Sequence, residues 1–190
     1  MLSFSTRAQV LNKLAGTKEI NGYIFGIYNL RIGKTEILGL FDIREELPEY
    51  TFVESDDVYL TAFDGGRSPE RLALRFGKYR EVSEDEFEMP KYLEVRANGK
   101  LVKTDKAVLK ASGVSQRKFI ACTFCIRDEQ GEPFNILLVA IHKRAEALNE
   151  LKSNMYLNIN ARLFHKAFIE GYELNLTSFE ICEKRETTMV

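Results

Sequence analysis

From residue 154 to 164 hydrophobic and polar side chains alternate strictly. Met155, Leu157, Ile159, Ala161 and Leu163 share one face, and Tyr156, Asn158, Asn160, Arg162 and Phe164 share the other. Successive side chains of a strand point to opposite sides, so this segment predicts a half-buried strand. Its polar face keeps an aromatic at each end and an arginine between. The closing segment repeats the logic, with Tyr172, Leu174 and Leu176 inward and Glu173, Asn175, Thr177 and Phe179 outward. Upstream, Ile120, Cys122, Phe124 and Ile126 share a core face, while Phe134–Ile141 is apolar on both faces and predicts a central or interface strand. Between these strands Ile141, Ala145, Leu148 and Leu151 are spaced for one face of a helix.

The first ninety residues predict a different arrangement. Val10, Leu11 and Leu14 fit a leading helix over 5–15, with Ser5 or Thr6 as N-cap and Gly16 past its end. Residues 20–30 and 35–43 flank Gly33 as a hairpin. The acidic segment 44–57, holding Pro48, predicts a loop. Strands follow at 58–63 and 71–79 around the Asp64–Pro69 turn. The acid-rich run 81–90, ending in Pro90, predicts a linker. Beyond it 92–105 predicts a strand that bends at Asn98–Gly99. The fold expected is mainly β: a small β-rich N-terminal domain (1–85) with a leading helix, then a second domain (91–190). The order β, β, α, β, β in the second domain, with one helix between the third and fourth barrel strands, is that of an OB-fold barrel. No repeat between the halves is evident in the sequence.

Composition sharpens this picture in a few places. Residues 1–90 carry 11 Lys and Arg against 16 Asp and Glu, a net of −5; residues 91–190 carry 16 against 12, a net of +4. A polyanion is therefore not expected on the first half, while the second half could hold one or show ordinary surface variation. Three cysteines, an odd and sparse set, suggest a reducing compartment and a cytoplasmic protein. No run is long and apolar enough for a membrane helix. The start lacks a secretory apolar block; its faint likeness to a mitochondrial presequence is outweighed by a plain amphipathic helix.

Candidate chemistry is sparse. Cys122 and Cys125 form a CxxC, but on a strand they face opposite ways, and His142 and His165 lie far apart, so no metal or cofactor is expected. No nucleophile elbow, phosphate-binding glycine loop or dinucleotide fingerprint occurs, and no catalytic residue is assigned. The polar turn at Asp64–Arg67 is the one place where an enzymatic site would fit. Aromatics interleaved with bases are better represented. Single strands are held by base stacking on aromatic rings, ~1–3 kcal/mol per base, together with cations along the backbone. Phe119, Phe134, Tyr156, Phe164 and Phe168 are the stacking candidates. Lys100, Lys103, Arg117, Lys118, Arg127, Arg162 and Lys166 are the phosphate candidates. Aromatics in strands are commonly core, and for Tyr156 and Phe164 a subunit interface remains the alternative.

These residues carry a resemblance. Gly99-Lys100-Leu101 followed by Asp105, the segment 134–151, Lys152-Ser153 running into YLNINARL, and the closing strand 171–181 resemble, in order and spacing, OB-fold single-stranded-DNA-binding proteins of bacteria and phage. The resemblance covers about residues 92–183. It implies non-enzymatic binding of single-stranded DNA, or RNA, in replication, recombination or repair, commonly by a homo-oligomer. It places Phe134 near a stacking aromatic of the third strand, Phe168 near one after the fourth strand, and Lys143 and Arg162 near basic positions. Ala161 and Asn154 stand where that family has glycines, and 183–190 shows no acidic tip for recruiting partners. Residues 1–90 have no counterpart in the resemblance and could supply contacts to replication or recombination proteins. A competing expectation is a structural or adaptor protein of a phage, plasmid or replication complex, using its barrel for protein contacts.

Overall fold

The computed structural model describes residues 2–64, 67–103, 110–112, 117–128, 131–165 and 171–182, the side chains of 110–112 and 117 excepted. Strands dominate. The first half contributes β1 (Phe4–Ile20), β2 (Tyr23–Ile32), β3 (Thr35–Asp42), β4 (Phe52–Ala62), β5 (Leu72–Phe76) and β6 (Arg80–Val82). The second contributes β7 (Leu93–Val102), β8 (Lys110–Ser112), β9 (Arg117–Arg127), β10 (Pro133–Ile141), α1 (Lys143–Glu150), β11 (Tyr156–His165) and β12 (Tyr172–Ile181).

The first sheet runs β1-β2-β3-β5-β4 and closes on itself through β4–β1. The second runs β7-β11-β12-β10-β9 and closes through β9–β7. Numbered within each half, both follow one path, 1-2-3-5-4-1. In each, the third and fifth strands are the parallel pair, Leu38–Leu40 on Ala73–Arg75 and Leu137–Val139 on Glu173–Asn175. Five strands closed in this order make an OB barrel. The helix expected between the third and fourth strands of the second barrel is α1, whose buried Ala145 and Leu148 cover the barrel interior. The first barrel has no helix there. Leu47, on the loop after β3, is 4% exposed in the corresponding place. The Tyr28 hydroxyl donates to the Glu45 carbonyl and accepts from the Leu47 N–H, which fixes that loop over the core.

Several sequence expectations change. No leading helix forms, because Phe4, Thr6, Ala8 and Val10 are all buried at period two and β1 pairs with both β2 and β4. Thr6 and Ala8 do not announce a core face, and barrel closure overrides local propensity. Leu11 and Leu14, which supported the helix, fall at the two interruptions of the β1–β2 register. The acidic loop ends at Thr51, and Phe52–Asp57 joins β4. The β7 strand is continuous through Asn98–Gly99. A Cβ on Gly99 would lie 2.6 Å from the Cys125 carbonyl oxygen and 2.7 Å from the Phe124 ring, so glycine lets two strands and a core ring pack closely. The repeat is a repeat of path, carried by burial and not by matching residues.

The barrels share their packing. One buried cluster runs from Phe4, Tyr28, Phe41 and Phe76 to Leu93, Phe124, Leu138, Leu157 and Leu176. The Thr35 hydroxyl reaches the Leu163 carbonyl at 3.5 Å, tying β3 to β11. Gly33, at φ +60°, turns so tightly against residues 90–91 that a Cβ would lie 2.5 Å from the Lys91 carbonyl oxygen. Of the acidic linker, Glu84–Glu86 forms one 3-10 turn, and the Phe87 ring packs on Phe52 with centroids 4.4 Å apart.

Candidate nucleic-acid interface

The predicted strand alternation places the candidate side chains as expected on β11. Leu157, Ile159, Ala161 and Leu163 are at most 1% exposed, so Tyr156, Asn158, Asn160, Arg162 and Phe164 occupy the outer wall. Pairing carries that wall across four strands. Tyr156 faces Lys100 on β7, Lys100 faces Cys125 on β9, and Cys125 faces Asn135 on β10. Tyr156 is 40% exposed beside Lys100, for which no ion-pair partner occurs among the described residues.

Farther along β9 and β10 the outer wall is uncharged. Phe119 pairs with Ile141, Ala121 with Val139 and Thr123 with Leu137. Leu137 and Ile141 are 41% and 42% exposed. Cations border these three rungs. Lys118, beside Phe119, meets Glu146 of α1, and that contact lowers the Glu146 carboxyl pKa. Lys143, at the start of α1, is exposed. At the far end of β9 the Arg127 guanidinium donates to the Gly131 carbonyl at 2.7 Å and closes the turn into β10.

Other candidates separate from this wall. Arg162 and Phe164 turn toward the junction between the barrels. The Arg162 guanidinium lies 4.3 Å from the Tyr92 ring centroid and 3.3 Å from Glu94, and Phe164 packs on Tyr92 at 5.9 Å. Tyr92 sits two residues past Pro90 and was not singled out by sequence. Its one signal in the sequence is the neighbouring Lys91, whose ammonium also approaches the ring, to 5.4 Å. Phe134 is 1% exposed and faces the barrel interior, which leaves no ring face for a base. Lys103 is bound to α1. Its ammonium donates to the Asn149 and Leu151 carbonyls, where unpaired helix-end oxygens attract a cation. Lys166 and Phe168 lie outside the described residues, as does the side chain of Arg117. Cys122, Cys125 and Cys182 are free thiols, and burial raises the Cys122 pKa. No cluster of three or more metal-binding side chains occurs among the described residues. No helix among them is long and apolar enough to cross a membrane.

Two closed five-stranded barrels of this path, side by side in one chain, define a tandem OB-fold protein. No family model matches the sequence, and no curated protein matches it. Among solved structures the chain is similar to the wild-type single-stranded DNA binding protein from Thermus aquaticus. The TM-score is 0.63 at 12% identity, over 96% of this chain and 94% of that one. A deletion mutant of the same protein gives 0.64 at 10% identity, over 96% and 95%. The PriB protein from Ralstonia solanacearum covers 47% of this chain, with a TM-score of 0.40 at 15% identity. At these identities the likeness is one of fold. It spans both halves, so residues 1–90, which had no counterpart in the sequence resemblance, fall within it.

Proposed function

We propose that the protein binds single-stranded DNA without catalysing a reaction on it. The observation that carries this reading is the outer wall of the second barrel, where Tyr156, Lys100 and Phe119 accompany three uncharged rungs, with Lys118 and Lys143 beside α1 at their border. The fold supports it, since OB barrels use the face of their second and third strands, here β9 and β10, for oligonucleotides. Bases stack on Phe119 and Tyr156 and lie over the aliphatic rungs. Lys100, Lys118, Lys143 and Arg127 neutralise phosphates, joined by Arg117 and Lys166 from the flanking loops. Phe134 has no part in the stacking, and Lys103 acts by holding α1. The division at residues 1–85 and 91–190, with the second unit as the principal binding domain, belongs to this proposal. So do homo-oligomer formation and a part in replication, recombination or repair.

Titration of the full chain with a fluorescent oligothymidylate tests the reading. Tight binding at low salt that weakens linearly in log affinity against log salt supports it. No binding at low salt overturns it.

The uncharged rungs with Leu137 and Ile141 exposed also favour an adaptor role, in which a protein covers that wall. Self-association measured with and without oligonucleotide separates the two. Competition between oligonucleotide and assembly places both on the same wall.

A further inference from the structure

A cavity of about 580 Å³ lies on the outer face of β1, β4 and β6. A second, of about 400 Å³, lies over the start of β7 and Arg162 of β11. The two share Ser5, Thr6 and Pro90, so they form one groove across the junction of the barrels. The groove has no residue in common with the β9–β10 wall. The acidic linker contributes Pro90 to its lining and none of its carboxylates.

The floor in the first barrel is a row of charges. Arg7, Glu54 and Arg80 are register partners on β1, β4 and β6. Arg7 Nε donates to one Glu54 oxygen at 2.8 Å. Arg80 donates to the other from two nitrogens, at 3.0 and 2.8 Å. One carboxylate held by two guanidiniums leaves a positive charge over. Lys78 lines only the first recess and Lys91 only the second, and both are exposed. Neither has an ion-pair partner among the described residues. Arg162, a phosphate candidate by sequence, belongs to this groove beside Glu94. Among the described residues no ion pair crosses the groove from one barrel to the other. The barrels are joined elsewhere, by Thr35 on Leu163 and by the Arg67 carbonyl, which accepts the Asn135 N–H at 2.6 Å.

Five cations against three carboxylates, Glu54, Asp56 and Glu94, give the lining a net of +2 in a chain whose net charge is −1. Bases find no platform there. Tyr92 is covered by Arg162 at 4.3 Å and Phe164 at 5.9 Å. Tyr79 packs edge-on against Phe41 at 5.1 Å, and its hydroxyl donates to Glu45. An unbroken row of phosphates would meet Asp56 and Glu94. Guanidinium forks match carboxylates, as Glu54 already shows within the groove.

We propose that the groove binds an extended acidic peptide of a partner protein. Its carboxylates lie on Lys78 and Arg80 at one end and on Lys91 and Arg162 at the other, with uncharged residues over Ser5, Thr6 and Pro90. Clusters of arginine recognise acidic motifs in this way. The first barrel then carries a protein-docking site while the β9–β10 wall stays open to DNA.

Fluorescence anisotropy of the full chain tests this, with a labelled peptide bearing aspartates at both ends of a glycine–serine spacer and with its asparagine counterpart. The aspartate peptide should bind at low salt and the asparagine peptide should not. A Lys78→Gln, Lys91→Gln double variant should lose about tenfold in affinity for the aspartate peptide, and each single variant about threefold, as exposed charge contacts are removed. The double variant should keep the wild-type affinity for oligothymidylate. No binding of the aspartate peptide to the wild-type chain, or equal binding to the double variant, overturns the docking site and leaves DNA binding in place. If the double variant also loses affinity for oligothymidylate, and oligothymidylate displaces the peptide, the groove belongs to nucleic acid and the proposal falls.

Discussion

Tyr156 and Phe164 looked equivalent on their strand, and their surroundings now separate them. Tyr156 is exposed on the Lys100 rung, whereas Phe164 packs on Tyr92. Tyr156→Ala should weaken oligonucleotide binding by about 1–3 kcal/mol with little change in unfolding midpoint, as measured by titration and thermal melts. Phe164→Ala should lower stability by about 1 kcal/mol as its ring contact is lost. If Tyr156→Ala binds as wild type, that ring belongs to an interface. Tyr79 offers a pH signature. Burial, then the charge of Glu45 and the hydrogen bond to it, push its hydroxyl up to about 12. Above its ordinary value near 10, the unfolded chain releases this proton while the folded chain retains it. The stability due to the shift is whole below pH 10 and is lost as pH rises toward 12. Denaturant midpoints at pH 9 and 11.5 should converge in a Tyr79→Phe variant relative to wild type.

Two elements show what the chain's pattern makes legible. The β11 strand was readable because Leu157, Ile159 and Leu163 mark every second position without interruption, and α1 because its apolar spacing fits one helical face. The β1 strand was not. Thr6 and Ala8 are buried by neighbours from β2 and β4, contacts that only barrel closure supplies, and the bulges near Leu11 and Leu14 imitate helical spacing. The candidate site follows the same rule. The outward place of Tyr156 was legible from alternation, whereas Lys100 stood out only as a base on a strand expected to bend at Asn98–Gly99. The inward place of Phe134 was not legible, since neighbouring Ile136 and Leu137 are equally apolar although one faces the core and one solvent. The task of Lys103 was hidden too, because α1 ends close to β7 only in three dimensions. A Lys103→Met variant should fray the C-terminus of α1, costing about 1–2 kcal/mol. Faster amide exchange confined to α1, with oligonucleotide affinity retained, would show this; lost affinity with unchanged exchange would return Lys103 to the binding surface. The β7–β9 contact makes a converse case. Gly99→Ala should lower the unfolding midpoint by an amount equivalent to about 1–3 kcal/mol, because neither the Cys125 backbone nor the Phe124 ring can yield without disturbing the core.

At the scale of the molecule, the buried cluster that runs through both barrels and the seams at Gly33, Thr35 and Arg67 predict joint unfolding. Calorimetric and van't Hoff enthalpies should agree for the full chain, and two resolved transitions would show that the barrels melt independently. In sequence the acidic linker separates two halves that look unlike. Charge and composition differ between them, but the strand path does not, because path is set by which faces are buried and not by which residues bury them. Covalent continuity between two like barrels has a further effect. Barrels held on separate chains come apart when diluted, and their joint hold on a ligand disappears with them. Here the neighbour's effective concentration is fixed by the linker and stays the same however scarce the protein becomes. The two barrels of this chain therefore stay paired, with the Thr35–Leu163 and Arg67–Asn135 contacts available, at any concentration of the protein.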